Sequence, residues 1–225
     1  MTALKNTKYR YLVWILPIVA VVAAGPPSYR DSDQQDPQAK ALVALGRTLV
    51  INHDCAGCHG GADPSSKGWL DGVRSPLQEF KIGPCGAGGA PAQPCFTTRP
   101  RNLTPDNVTG LGRFTERQIF NALRFGLRPE DTPDMDITGT TPGKGNFPAT
   151  PHYLAVPMPW PAWRHMTDHE LKAIAAYLHR ALKPSVNTVP DSEGPPDFWA
   201  SEYTVEKIGP LKSPAFPTAN EQVPK

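Results

Sequence analysis

The sequence predicts an all-α domain of about three to five helices joined by long loops. Only three segments carry a clear helical pattern, and the stretches between them, residues 60 to 113 and 127 to 166, have no periodicity. The 225 residues include 19 glycines and 27 prolines, which favours loops. Because ordering a loop costs about 1–2 kcal/mol of chain entropy per residue, such a domain needs cross-links or a buried cofactor.

Capping residues mark the three helices, at Asp36, Thr115 and Thr167. Each lies just before an apolar pattern with helical spacing. Gly46 interrupts the apolar face of the first helix. A glycine inside a helix costs about 1 kcal/mol relative to alanine, so it indicates the close approach of another element; an incidental glycine is the alternative. The expected helices cover residues 36 to 51, 115 to 126 and 167 to 183.

The first 25 residues have the features of an export segment, because basic residues precede an apolar run from Tyr11 to Ala24. This run is shorter than the roughly 20 residues of a comfortable membrane span. Cleavage after Ala24 and retention as a signal anchor are both open. Either outcome places the rest of the chain outside the cytoplasm, in the periplasm or anchored to the inner membrane.

The remaining chain divides into a polar linker (26 to 35), a domain (36 to 183) and a proline-rich tail (184 to 225) that wraps the surface or extends as an arm. Three of the 23 basic residues precede residue 25, so basic and acidic residues nearly balance in the rest of the chain. This balance gives no support for a nucleic-acid partner.

The stretch HDCAGCHGG, residues 53 to 61, holds two cysteines separated by two residues, and a histidine follows the second. A zinc site would also need Cys85 and Cys95, whose spacing does not form a second CxxC knuckle. A thioredoxin-like dithiol begins a helix in a βαβ unit, whereas this pair follows a helix. Neither interpretation explains His59.

The third interpretation, C-x-x-C-H, is the attachment pattern of a c-type haem. Cys55 and Cys58 would each add to one vinyl group, and His59 would reach the iron. The two vinyl groups lie on one side of the porphyrin, so a short turn can bring both thiols to them. The favoured interpretation is therefore one covalently bound haem c.

A six-coordinate iron needs a second axial ligand, and Met158 is the best-placed methionine. Its flanking prolines hold the backbone extended, so a ligand there has little entropy to lose. Met1 lies in the export segment, Met166 starts a helix, and Met135 stands between two aspartates. A gap-filling role in the core is the alternative for Met158, and the remaining histidines are weaker candidates for the ligand.

Three segments resemble the class I cytochrome c domains in cytochrome subunits of membrane-linked alcohol, aldehyde and gluconate dehydrogenases. They lie in the expected order over about residues 39 to 183: ALVALGRTLVINHDCAGCH, PRNLTPDNVTGLGRFTERQIFNALRFG and VPMPWPAWRHMTDHELKAIAAYL. The resemblance implies a cytochrome c fold around the haem, with Met158 as axial ligand. It also implies that the first and last helices cross at Gly46 and Tyr177, and that the Asn102–Pro105 stretch runs near the haem edge. The tail has no counterpart in that family.

Cys85 and Cys95 bracket a short, flexible loop. In an oxidising compartment we expect them to form a disulfide that contributes about 2–3 kcal/mol to stability in the chain-entropy account. Two unpaired thiols are the alternative.

With His59 and Met158 as axial ligands, no iron site remains for oxygen or peroxide, so we expect an electron carrier rather than an enzyme. The expected function is a monohaem c-type cytochrome that takes single electrons from a dehydrogenase and passes them to a respiratory chain. Two alternatives stay open at this stage. One is a haem peroxidase or sensor with a labile sixth ligand, and the other is a haem-bearing docking subunit of a larger complex.

Overall fold

The computed structural model describes residues 36–74, 78–85 and 94–224. The expected export segment and linker lie outside these residues. Six α-helices and two short strands occur in the described part of the chain: α1 (Pro37–Asn52), α2 (Cys55–His59), β1 (Phe80–Ile82), β2 (Phe96–Thr98), α3 (Glu116–Phe125), α4 (Trp160–Trp163), α5 (Asp168–Ala176) and α6 (Val205–Ile208). A π-helical turn, Tyr177–Ala181, continues α5. No helix among the described residues is long and apolar enough to cross a bilayer.

The three longest helices are those that the sequence predicts, and their caps explain where they begin. The Asp36 carboxylate accepts a hydrogen bond from the backbone N–H of Gln38 at the start of α1. Thr115 and Thr167 form complete capping boxes at the starts of α3 and α5. These contacts satisfy N–H groups that have no partner inside the helix. The prediction of an all-α, cytochrome c-like fold is confirmed.

A small hairpin and a disulfide lie between α2 and α3. β1 and β2 pair antiparallel, with Phe80 opposite Thr98. Cys85 and Cys95 form a disulfide with a Cα–Cα distance of 4.9 Å, so the connection between the strands is closed by a covalent bond.

The main core lies where α1, α3 and α5 meet. α1 and α5 make the most extensive helix–helix contact among the described elements, and α3 packs on α5 from another side. The buried side chains of this core are Val50, Leu70, Leu111, Phe114, Ile119, Leu123, Trp163, Leu171, Ile174, Ala175, Tyr177 and Leu178. We call this set the main cluster.

Gly46 lies where α1 crosses α5. A Cβ atom at this position would lie 1.9 Å from the carbonyl oxygen of Ala173 and 2.8 Å from the Cβ of Tyr177. No side chain fits at these distances, so the crossing is close enough to require glycine.

The tail packs on the domain along much of its length. Thr97 and Glu193 form a β-bridge, which brings the tail alongside β2. Val189 and Trp199 are buried, and Trp199 packs against Phe96 with ring centroids 5.0 Å apart. The tail therefore wraps the surface of the domain, with exposed stretches at residues 193 to 196 and 204 to 207 and from about 212 on.

Glu116 connects the start of α3 with the π-helical turn. Arg180 binds the Glu116 carboxylate through two nitrogens, one of them Nη2 at 2.7 Å from Oε2, and His179 Nδ1 lies 3.5 Å from Oε1. Burial alone would raise the pKa of Glu116, but the hydrogen bonds from His179 and Arg180 outweigh it and lower the pKa to about 2.

We predict that Gly46→Ala destabilises the protein. Alanine raises helix propensity by about 1 kcal/mol, but its methyl group would overlap a backbone carbonyl that cannot rotate away. Such overpacking costs about 1–3 kcal/mol. Denaturant unfolding should show a net loss of stability. Gly139→Ala is the matched control, because the nearest atom to its added Cβ would be 3.7 Å away. Equal stability of the two variants would contradict the close crossing.

We predict that the stabilising effect of Glu116 depends on pH. Its folded-state pKa lies below the ordinary value of 4.5, so its contribution is complete above about pH 4.5 and is lost as the pH falls towards 2. Urea unfolding should show a loss for Glu116→Gln at pH 7 that shrinks between about pH 5 and pH 2. Glu130→Gln is the control, because its ion pair with Arg113 is exposed and contributes little. A loss for Glu116→Gln that stays constant with pH would contradict the assignment.

Candidate functional site

The Cys55, Cys58 and His59 side chains are brought together by the short helix α2. Asp54, immediately before it, has a left-handed backbone with φ 50°, which turns the chain sharply after α1. Residues three and four positions apart share one face of a helix. The two thiols and the imidazole therefore lie on the same side of α2, as attachment to one flat group requires.

His59 is held in one tautomer by a main-chain acceptor. Its Nδ1 lies 2.7 Å from the carbonyl oxygen of Arg101, and a carbonyl can only accept, so Nδ1 carries the proton. The lone pair is then on Nε2, for which the described residues provide no hydrogen bond. Burial lowers the pKa of His59, against the effect of the Arg101 hydrogen bond. The buried ring is thus neutral, the form that binds a metal.

The segment that supplies this carbonyl is fixed by the amide of Asn102, which is 1% exposed. The amide nitrogen donates to the carbonyl of Ser185 (2.7 Å) and to Oγ1 of Thr109 (3.0 Å), while its oxygen accepts from the N–H of Thr104 (2.9 Å). The expectation from the sequence placed the Asn102–Pro105 stretch near the haem but did not identify a partner for His59. The carbonyl of Arg101 is that partner.

The tail also fixes Arg101 directly. The Arg101 guanidinium donates to the carbonyl of Val189 (2.8 Å) and to Oδ1 of Asp191 (3.1 Å). Ser185 Oγ donates to the Asp71 carboxylate at 2.9 Å, next to the loop that follows α2. The support of His59 therefore extends into the tail.

The pKa values of the Cys55 and Cys58 thiols are raised, whereas a redox dithiol has a lowered thiol pKa. Cys55 and Cys58 do not pair with each other. Burial raises the pKa of the Cys55 thiol to about 12, and burial together with Asp54 raises that of Cys58. A reactive dithiol needs a lowered thiol pKa. A zinc site loses its other two ligands as well, because Cys85 and Cys95 are bonded to each other.

Met158 is partly buried and packs against the main cluster, as Cys55 does. The extended backbone predicted from its flanking prolines is wrong, because the chain turns here through two local hydrogen bonds, from the Met158 N–H to the carbonyl of Ala155 and from the N–H of Trp160 to the carbonyl of Met158 (both 2.9 Å). Met166 also packs on the cluster, at the start of α5, whereas Met135 is 47% exposed. The geometry thus brings the Met158 thioether and the α2 site to one apolar cluster.

Gly46 and Tyr177 lie behind this site, at the helix crossing. Tyr177 is buried, and its hydroxyl accepts a hydrogen bond from Nε1 of Trp69 at 3.0 Å. Both residues support the position of α1, from which α2 continues, rather than contributing a ligand.

Two surface cavities lie in the described part of the chain. A groove of about 890 Å³ lies between α1, the 64–69 loop and the 180–185 segment, and its lining includes none of Cys55, Cys58, His59 and Met158. A cleft of about 270 Å³ includes Cys58 in its lining. The larger groove is therefore not the candidate site.

The residues present fit a c-type haem. Two thiols and a neutral imidazole with a free Nε2 share one short helix, and a thioether packs on the same apolar cluster. Sulfur and imidazole nitrogen are common axial ligands of haem iron.

Comparison with known proteins gives related cytochrome subunits, although no protein-family model matches the chain. The gluconate 2-dehydrogenase cytochrome c subunit of Pantoea cypripedii is 30% identical over 162 residues, which is 71% of this chain and 28% of that protein. The fructose dehydrogenase cytochrome subunit of Gluconobacter japonicus is 28% identical over 156 residues, 69% of this chain and 24% of that protein. An alcohol dehydrogenase (quinone) cytochrome c subunit of Gluconacetobacter polyoxogenes is 28% identical over 152 residues, 67% of this chain and 24% of that protein.

The chain spans about a quarter of the length of these curated relatives. All three are named as cytochrome subunits of dehydrogenases, which confirms the resemblance predicted from the three sequence segments. The fold, the order of the motifs and the relatives agree that this chain resembles the cytochrome subunits of gluconate, fructose and alcohol dehydrogenases.

Proposed function

We propose that the chain is a monohaem c-type cytochrome that carries single electrons. Cys55 and Cys58 would hold one haem c through thioether bonds, and His59 and Met158 would be the axial ligands. The observation that carries the proposal is the buried His59 imidazole, whose Nδ1 proton is held by Arg101 and whose Nε2 is free. A bound haem c supplies the one-electron iron couple.

The protein side chains prepare this site without exchanging protons. The Arg101 carbonyl keeps the Nδ1 proton of His59 in place, and the Met158 thioether has no proton to lose. The apolar residues of the main cluster pack against Cys55 and Ala56 of α2. A low-polarity setting and a thioether ligand both favour a high reduction potential.

The relatives suggest the partners. Each is named as a subunit of a dehydrogenase, so we infer that a dehydrogenase donates the electrons and that a component of a respiratory chain accepts them. The export segment in the sequence supports a periplasmic location, free or anchored at the inner membrane. With His59 and Met158 as axial ligands, no open iron position would remain for the peroxidase and sensor alternatives.

We predict that the purified protein carries the mass of one haem and that acidic organic solvent does not extract it. The double substitution Cys55→Ser/Cys58→Ser should abolish the covalent attachment, because no thiol remains next to His59. Cys85→Ser/Cys95→Ser is the matched control and should keep the haem while losing the disulfide. Intact-mass spectrometry distinguishes these outcomes. Loss of the haem from Cys85→Ser/Cys95→Ser but not from Cys55→Ser/Cys58→Ser would contradict the assignment of Cys55 and Cys58 as the attachment residues.

We predict that Met158→Ala removes the methionine–iron charge-transfer band from the red end of the oxidised spectrum and lowers the reduction potential. The sulfur ligand is lost, and water or another weaker group takes its place. Met135→Ala is the control, because this side chain is exposed, and it should leave the band unchanged. The reverse pattern would place the ligand in the acidic loop.

A further inference from the structure

The segment of the tail from Asp197 to Leu211, which we call the strap, contacts both ends of the loop that carries Met158. We propose that the strap positions Met158 and so determines how strongly this side chain competes with other ligands for the iron. The proposal rests on the proposed function above, because it assumes that Met158 is the sixth ligand.

The strap holds the upstream end of the loop through Asp197 and Tyr203. The Asp197 carboxylate accepts the backbone N–H of Tyr153 at 2.7 Å through Oδ1, and its Oδ2 lies 2.6 Å from Nδ1 of His152. The Tyr203 hydroxyl donates to the carbonyl of Leu154 at 3.3 Å. These contacts stop four residues before Met158.

The strap also holds the downstream end of the loop. Tyr203 packs edge-on against the ring of Trp160, with centroids 4.7 Å apart, and Trp160 is 2% exposed. Nε2 of His165 lies 3.0 Å from the carbonyl oxygen of Ile208, which can only accept, so His165 donates. These contacts begin two residues after Met158.

Arg124 of α3 joins the strap to the body of the protein. Its guanidinium, 2% exposed, donates to the carbonyls of Leu211 (3.0 Å) and Arg164, and to Oδ1 of Asp168 (2.6 Å). A buried charge is costly unless it is paired and hydrogen-bonded. The partners of Arg124 therefore require the strap, α4 and α5 to stay together.

Between these two anchors, Met158 itself packs on the main cluster, whereas Val156, Pro157 and Pro159 are exposed. The backbone hydrogen bonds of Met158 stay within residues 155 to 160. The body holds the upstream end as well, through the bridge between Leu127 and Tyr153. The position of Met158 thus depends on its packing and on where the two ends of the loop are fixed, and the strap contributes to both ends.

If the strap positions Met158, weakening it should change binding at the Met158 side of the iron only. If the strap has only a general packing role, both sides should change. Looser ends leave a larger fraction of molecules in which Met158 is out of place, and the affinity for a competing ligand then rises in proportion to that fraction. The bond from His59 should not change, because its support comes from Arg101 and residues 185 to 191.

The test uses the oxidised, haem-loaded full-length protein and imidazole as the competing ligand. Asp197→Gly is the informative substitution, because Asp197 has φ 64°, a conformation that glycine adopts freely, so the backbone is kept while both hydrogen bonds are lost. We expect imidazole to bind about tenfold more tightly than to the wild type, and the methionine–iron band to weaken. The fold-change corresponds to about 1.4 kcal/mol.

Two further variants make the result specific. Asp197→Asn keeps an acceptor for the Tyr153 N–H and tolerates the left-handed backbone, so it should restore most of the wild-type affinity. Lys207→Ala lies inside the strap but removes only an exposed ion pair with Glu202, and it should bind imidazole like the wild type. Tyr203→Phe removes only the hydroxyl contact and serves if Asp197→Gly does not fold; we expect about threefold tighter binding from it.

Unchanged imidazole affinity in both Asp197→Gly and Tyr203→Phe, with a normal band in the wild type, would overturn the positioning role of the strap. It would leave the proposed function intact. If Lys207→Ala bound imidazole as tightly as Asp197→Gly does, the positioning role would also be overturned. The effect would then follow from any substitution in the strap and not from its contacts with the Met158 loop. If the wild-type protein lacked the band and Met158→Ala left its imidazole affinity unchanged, both the proposed function and the positioning role of the strap would be overturned.

Discussion

The hydrogen bond from Nδ1 of His59 to the carbonyl of Arg101 is the interaction on which the site depends. A buried imidazole needs a partner for its N–H, and a carbonyl partner leaves Nε2 as the only free nitrogen. The bond therefore fixes the ring and also requires the 101–104 segment to lie against α2. Asn102 meets this requirement with four side-chain hydrogen bonds, one of them to Ser185 of the tail. The hydrogen bond between His59 and Arg101 thus links the positions of three segments, which are α2, residues 101 to 104 and the tail at Ser185.

The tail holds the long loops of the protein in place. Long irregular segments can be ordered only if something repays their chain entropy. Here residues 185 to 191 hold the Arg101 segment, and the strap holds the Met158 loop, so the two sides of the site are supported by adjacent parts of one segment. Prolines restrict the unfolded chain more than the folded one, which lowers the cost of ordering such a segment. A proline-rich composition suits this role.

The sequence predicts those features whose signals are local. The caps at Asp36, Thr115 and Thr167 give the three long helices, because each motif lies within four residues of the chain. The helices α2, α4 and α6 have only four or five residues, too few for an apolar period, and were not predicted. The contacts of Arg101 with Val189 and Asp191 were missed for another reason. They join residues about 90 positions apart, and one acceptor is a main-chain carbonyl that any residue type supplies.

Arg124 shows how a buried charge can hold the Met158 loop without being one of the candidate ligands. Its guanidinium is 2% exposed and donates to the carbonyl oxygens of Leu211 in the strap and of Arg164 just after α4. A buried charge costs free energy unless it is paired and hydrogen-bonded, so these partners, together with Asp168, favour one arrangement of the strap, α4 and α5. Met158 itself is uncharged and packs on the apolar main cluster. The strap proposed to position Met158 therefore acts through contacts on either side of this residue rather than through the ligand itself.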